Sequence, residues 1–181
     1  MKTTKHLTTG AMTVALTTLV MLFDRATVGV FMSFLPVPLI VYGFYFGLKS
    51  SFPVYIACVV SALIFTGYLP TVLLMTGYGL IGLVCIFANS KNLKMKQTYA
   101  LLVVSAIPVY VLMITQFGAF FGFEYSLAYS AIQTMMPYIA NPAIYHIIII
   151  IGILILILME TFIIKTSSTV LINVMQRRFK K

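Results

Sequence analysis

Acidic residues are nearly missing from this 181-residue chain: Asp24, Glu124 and Glu160 stand alone against 12 lysines and arginines. Charged residues of either sign make up 8%, where soluble domains carry roughly 25%. So few charges cannot clothe a soluble globule. Tryptophan is absent and there are two cysteines, Cys58 and Cys85, both inside apolar runs. Two cysteines without a neighbouring ligand exclude a disulfide framework and a zinc knuckle, and they read as small packing residues. No Ser/His/Asp set, carboxylate pair or H-x-x-x-H spacing occurs, so neither an enzyme nor a cofactor site is expected.

What the chain has instead is apolar length. Hydrophobic residues reach 61%, and the mean hydropathy is +1.08. Runs near residues 7–23, 33–48, 52–67, 70–89, 98–119 and 143–164 predict an all-α integral membrane protein with six transmembrane helices in a single domain, residues 1–181. Six spans of about 20 residues use about 120 positions, leaving no room for a soluble domain. Lys2 and Lys5 before the first run resemble a signal peptide, but no A-x-A cleavage pattern follows, so the run is kept as a span.

The net charge of +9 follows loop topology rather than nucleic-acid binding. Lys2, Lys5, Lys49, Lys91, Lys94, Lys96, Arg177, Arg178, Lys180 and Lys181 fall on one side of a six-span arrangement, and Arg25 alone falls on the other. Lys165 sits near the inner boundary. This bias predicts cytoplasmic N and C termini in a cell membrane, with a bacterial plasma membrane expected. Residues 120–142 form a long outer connection of the kind that serves as a lid. In the tail, Val170, Leu171, Val174 and Met175 recur at helical spacing, giving either a surface amphipathic helix, a continuation of the last span, or a plain basic stop-transfer segment. Glu160, five residues before Lys165, reads as snorkelling or pairing near the inner boundary, with ion coupling as the functional alternative.

Two glycine motifs imitate nucleotide sites. Gly77-x-Gly79-x-x-Gly82 lies inside a span instead of a βαβ unit, and is read as close helix packing. Gly43 to Ser50 resembles a phosphate loop, but Leu48 separates Gly47 from Lys49. No ATP site is expected.

In the first span Ala11 and Ala15 form A-x-x-x-A, either an internal packing face or a groove for another protein's helix. Together with the length, the span count, the basic inside, Pro36-x-Pro38 and Gly43-x-x-x-Gly47-x-Lys49, this pattern resembles the substrate-binding S components of energy-coupling factor (ECF) vitamin transporters. The resemblance implies that Ala11 and Ala15 contact a transmembrane coupling (T) subunit, that two separate ATPase subunits supply energy, and that a water-soluble vitamin is bound on the outer side.

A pocket there would draw on Asp24, Arg25, Tyr68, Thr71, Tyr78, Gln116, Glu124, Tyr125, Tyr129, Gln133, Asn141, Tyr145 and His146. Apolar walls would come from Met75, Phe117, Phe120, Phe121 and Phe123. Arg25 suits a carboxylate, unless it pairs with Asp24 or Glu124; Gln116 and Asn141 suit amides and hydroxyls, unless Asn141 caps a helix. Lacking tryptophan for stacking flat rings, the chain looks most like a pantothenate-type S component. Folate, pyridoxine-like compounds, cobalamin and queuosine precursors stay open. The rivals are a non-transporting assembly or regulatory subunit and a self-contained secondary transporter.

Overall fold

In a computed structural model of the protein, residues 2–27, 29–121, 124–138 and 141–179 are described. They form seven helices, with no strand among the described residues: α1 (Lys2–Ala26), α2 (Val37–Phe46), α3 (Leu48–Thr66), α4 (Leu69–Ser90), α5 (Met95–Phe121), α6 (Tyr125–Met135) and α7 (Pro142–Phe179). A 3₁₀ turn, Met32–Phe34, precedes α2. Five helices, α1, α3, α4, α5 and α7, are long and apolar enough to cross a membrane. The chain is therefore an all-α membrane bundle.

The second expected span, residues 33–48, takes a different form. Its helix α2 has only 10 residues, about 15 Å at 1.5 Å per residue, half of a hydrocarbon core about 30 Å thick. Pro36 and Pro38 set its start. Gly47, at φ +79° and ψ 171°, stops it in a conformation that only glycine adopts readily. The next residue already begins α3. Short as it is, α2 lies in the middle of the molecule: Leu39 and Ile40 are fully buried, and α2 packs on α1, α3, α4 and α7. It runs back along α1, with Tyr42 beside Gly10 and the Phe46 ring 4.4 Å from the His6 ring.

Between the end of α1 and α2 the backbone is mostly irregular, yet Ser33 and Leu35 are buried. Unpaired peptide groups at that depth are costly, and irregular backbone survives there only when protein covers it and supplies partners. Asp24 is such a partner. Its carboxylate, 6% exposed, accepts the Phe31 N–H at 2.8 Å, while its backbone carbonyl accepts the Gly29 N–H at 3.0 Å. This explains an acid buried at the end of an apolar helix.

Helix α4 is the hub. Glycines at 77, 79 and 82 let neighbours close on it: a Cβ at Gly79 would stand 2.4 Å from the Tyr55 ring, one at Gly77 2.5 Å from Val109, and one at Gly82 3.1 Å from Pro36. These are helix contacts, as expected of small residues in lipid. Helix α1 joins α3 through a buried Thr18–Ser61 hydroxyl pair at 3.0 Å.

Helix α7 has 38 residues, about 57 Å, so the tail beyond Lys165 continues the last span as one helix. The apolar face expected there turns outward: Val170, Leu171 and Val174 are exposed, and Ile164, Ser168 and Ile172 form the buried stripe. Three successive i, i+4 positions align on one helix face, and the outward residues lie off it. The long connection of residues 120–142 contains α6, and all the residues of α6 are at least partly exposed.

Removing the Asp24 acceptor tests the account of the irregular segment. Asp24→Ala is expected to lower stability by about 1–3 kcal/mol, and Asp24→Asn, which keeps an acceptor oxygen, by clearly less. Thermal unfolding in detergent, with wild type in parallel, reads the difference; equal losses would show that the carboxylate is not what holds the segment.

Candidate functional site

Three polar side chains meet inside the bundle. Tyr78 is fully buried and donates its hydroxyl to Glu160 Oε2 at 2.5 Å; its oxygen lies 3.5 Å from the Tyr110 hydroxyl. Tyr78 is the tenth residue of the 22-residue α4, and Tyr110 is the sixteenth of the 27-residue α5. Glu160 therefore stands near mid-bundle. This differs from the expected position at the inner boundary, because α7 runs on well past Lys165. Nor does Glu160 pair with Lys165, whose ammonium donates to Asn89 Oδ1 at 2.9 Å.

A carboxylate among apolar helices is expensive unless hydrogen bonds hold it, and Tyr78 does so here, with the Tyr110 hydroxyl next to it. Beside the phenols lies a cavity of about 30 Å³, lined by Met32, Met113, Ile114, Ile153 and Leu156 as well as the two tyrosines. It admits a guest the size of water; vitamin pockets run to about 300 Å³ and above.

The end of the bundle where α6 meets α7 carries a second group. Tyr125 of α6 hydrogen-bonds His146 Nδ1 of α7 and stacks on its ring at 10°. Tyr129 packs edge-on against Tyr145 with centroids 5.4 Å apart, and tilts against His146 at 5.1 Å. Tyr145 is buried and donates to the Met136 carbonyl at 3.1 Å. Aromatic pairing thus clips α6 onto α7. Below Tyr125, an apolar groove of about 260 Å³ runs between α5 and α7, past Ile114 and Ile153 to Tyr110.

Of the residues expected at an outer pocket, Tyr125, Tyr129, Tyr145 and His146 come together. Tyr78 belongs to the interior cluster. Arg25, on the α1–α3 side, donates to the Thr66 carbonyl at 3.5 Å and lies 5.2 Å above the Tyr68 ring. Neither expected acidic partner holds it: Asp24 bonds the backbone, and Glu124 accepts from Ser126 at 2.9 Å. Asn141 caps α7, its Oδ1 accepting the Ala143 N–H at 3.0 Å, with Pro142 at the position a helix start favours. Gln116 and Gln133 are exposed on α5 and α6, Thr71 and Met75 are buried in α4, and Phe117 is half-buried. Phe123 and the side chains of Phe120 and Phe121 lie outside the described residues. Among the described residues no His/Cys/Asp/Glu group could hold a metal.

Tyr110 went unnoticed in the sequence. The signal for it was positional: Tyr78, Tyr110 and Glu160 are polar groups deep inside apolar helices, and such groups must find one another or water.

Ala11 and Ala15 are both exposed on α1, so the A-x-x-x-A face is not taken up by packing within the bundle. Neighbouring Gly10 faces inward, with a built Cβ 3.2 Å from Val54. No family model, curated protein or solved structure matches the chain.

Replacing Tyr78 by Phe removes the donor nearest to Glu160. Tyr78→Phe is expected to destabilise the bundle by about 1–3 kcal/mol, and Glu160→Gln, which keeps an acceptor for the Tyr78 phenol, by less. Melting temperatures of the two variants in one detergent decide this, and the reverse order would remove the buried carboxylate as the cluster's focus.

Proposed function

We propose that this chain is the substrate-binding (S) subunit of an ECF-type importer in a bacterial plasma membrane. It binds a water-soluble vitamin on its outer side and delivers it inward with a T subunit and two ATPases. The observation that carries the reading is the exposure of Ala11 and Ala15. A small-residue face left free on a lipid-facing helix is suited to close approach by a helix of another protein.

The reading includes six crossings and cytoplasmic termini. Five long helices support the bundle, and the proposed sixth crossing is residues 29–46, completed by α2 where Phe46 meets His6. At that same end α1 and α3 begin, α4 ends and α5 begins, which gathers Lys5, Lys49, Lys91, Lys94 and Lys96, as the positive-inside rule asks of a cytoplasmic face. The proposed substrate is a pantothenate-type acid. Arg25 is exposed and is held by one long hydrogen bond and a ring, which leaves its fork able to take a carboxylate.

Purified protein in detergent is to be heated against folate, pantothenate, pyridoxine-like compounds and cobalamin, since a ligand of the folded state raises the melting temperature, by about 2.7 kcal/mol of stability at 100 times Kd. One acidic vitamin is expected to shift it. Arg25→Ala should then weaken that vitamin by about 2 kcal/mol. Ala11→Leu with Ala15→Leu should leave the shift intact and abolish association with the coupling subunit. No shift with any vitamin would favour a non-transporting assembly subunit.

One observation favours a second reading, a self-contained ion-coupled carrier: Glu160 stands at mid-bundle without a cationic partner among the described residues. That reading expects uptake to persist without ATPase partners and to be lost with a protonophore and with Glu160→Gln. Uptake that needs the ATPases and survives Glu160→Gln would dismiss it.

A further inference from the structure

Helix α6 connects two helices long and apolar enough to cross a membrane, the end of α5 and the start of α7, and none of its 11 residues is buried. Tyr125, its first residue, meets His146; Tyr129, one turn on, meets Tyr145 and His146; the Met136 carbonyl, at its far end, accepts from the Tyr145 hydroxyl. About 16 Å of helix is therefore held at two adjacent residues of α7. An element touched along its length by so short a stretch lies across α7 and not along it. Those two residues directly precede the isoleucines at 147–151 that open the apolar run of α7. The crossing thus stands at the level of a bilayer boundary, whichever face of the membrane that is.

At 3.6 residues per turn, the sequence of α6 divides into three arcs. Tyr125 and Tyr129 belong to the one turned to α7. Ser126, Ser130, Gln133 and Thr134 fall within about 100° of one another on the second. Leu127, Ala128, Ala131 and Met135 fill about 100° on the third, and all four are exposed, Met135 by 79%. No charged residue lies between Tyr125 and Met135. Standing in water, such a helix would leave its apolar arc wet, with no charge to offset it.

We infer that α6 is an interfacial helix, lying in the plane of the membrane surface with Leu127, Ala128, Ala131 and Met135 against lipid acyl chains and the serine arc towards headgroups and water. The level of the helix chooses lipid as the occupant: an exposed apolar arc held where a spanning helix enters its apolar run meets the acyl boundary. Tyr138, exposed just beyond α6, adds a ring of the kind that gathers at that level. Because α6 carries no basic residue, apolar burial holds it, and a zwitterionic lipid suffices. The inference rests on the membrane bundle and is independent of what the chain transports.

The chain contains no tryptophan, so one introduced reports its own surroundings by fluorescence. Three single variants of the full chain are placed in phosphatidylcholine vesicles made with or without brominated acyl chains: Met135→Trp on the apolar arc, Ser130→Trp on the serine arc, and Ile155→Trp, exposed within the apolar run of α7, as the lipid reference. All three positions are exposed, so the packing of the bundle is left intact. Brominated chains are expected to remove most of the Met135→Trp emission, as they do that of Ile155→Trp, while aqueous acrylamide quenches Ser130→Trp several-fold more than Met135→Trp. Acrylamide quenching of Met135→Trp equal to that of Ser130→Trp would overturn the proposal by leaving α6 in water. Equal bromine quenching of both would overturn it by immersing the whole helix. A Met135→Trp reached by neither quencher would overturn it in favour of protein, such as a second copy, over this arc.

Discussion

The whole structure answers to one constraint: inside hydrocarbon, each polar group must find its partner within the protein. The five long helices meet it with their own backbone bonds. The segment between α1 and α2 cannot, because it is irregular and partly buried, and Asp24 meets part of its need by accepting from Phe31. That single carboxylate allows a short α2 to sit in the centre of the bundle instead of a full-length second helix. Glu160 obeys the same rule in reverse, with α4 providing Tyr78 as its donor and Tyr110 of α5 beside that phenol.

Close packing supplies the remaining cohesion, since lipid gives no hydrophobic drive for helices to associate. Helix α4 has the most buried spanning window of the five, 56%, and its glycines are where α2, α3 and α5 make their closest approach. Gly43 performs the same service from α2, where a Cβ would stand 2.3 Å from Ile86. Side-chain hydroxyls add local bonds, such as Tyr55 to the Thr76 carbonyl at 3.2 Å between α3 and α4. The polar interior is thus small, and among the described residues the Thr17 hydroxyl is buried in it without a hydrogen-bond partner.

The two ends of the bundle differ in kind. The end that carries α6 is aromatic and only lightly packed, with α6 clipped to α7 by Tyr125, Tyr129, Tyr145 and His146. An element with few buried contacts and a handful of ring pairs is one that opens at low cost. The opposite end is basic and carries a groove between α1 and α3. Ala11 and Ala15 are exposed on α1 there, and Ala11 lines the groove.

Much of this was legible from the chain alone. Apolar run length and lysine distribution determined the class, an all-α membrane bundle, and located α3, α4 and α5 to within a few residues, because helix formation in lipid is a local, compositional requirement. The glycines of α4 were recognisable as contacts for the same reason. Tertiary structure alone decided that residues 33–48 shrink to a short central helix, that α7 runs unbroken through the tail with Ile172 rather than Val174 buried, and that Tyr78 serves Glu160 instead of an outer pocket. It likewise decided that Arg25 rests on Thr66 and Tyr68, and that Ala11 and Ala15 face outward. Each of these depends on which side chain on a distant helix satisfies a polar group or fills a contact, and pairing across 41 or 82 positions leaves no mark in local hydropathy.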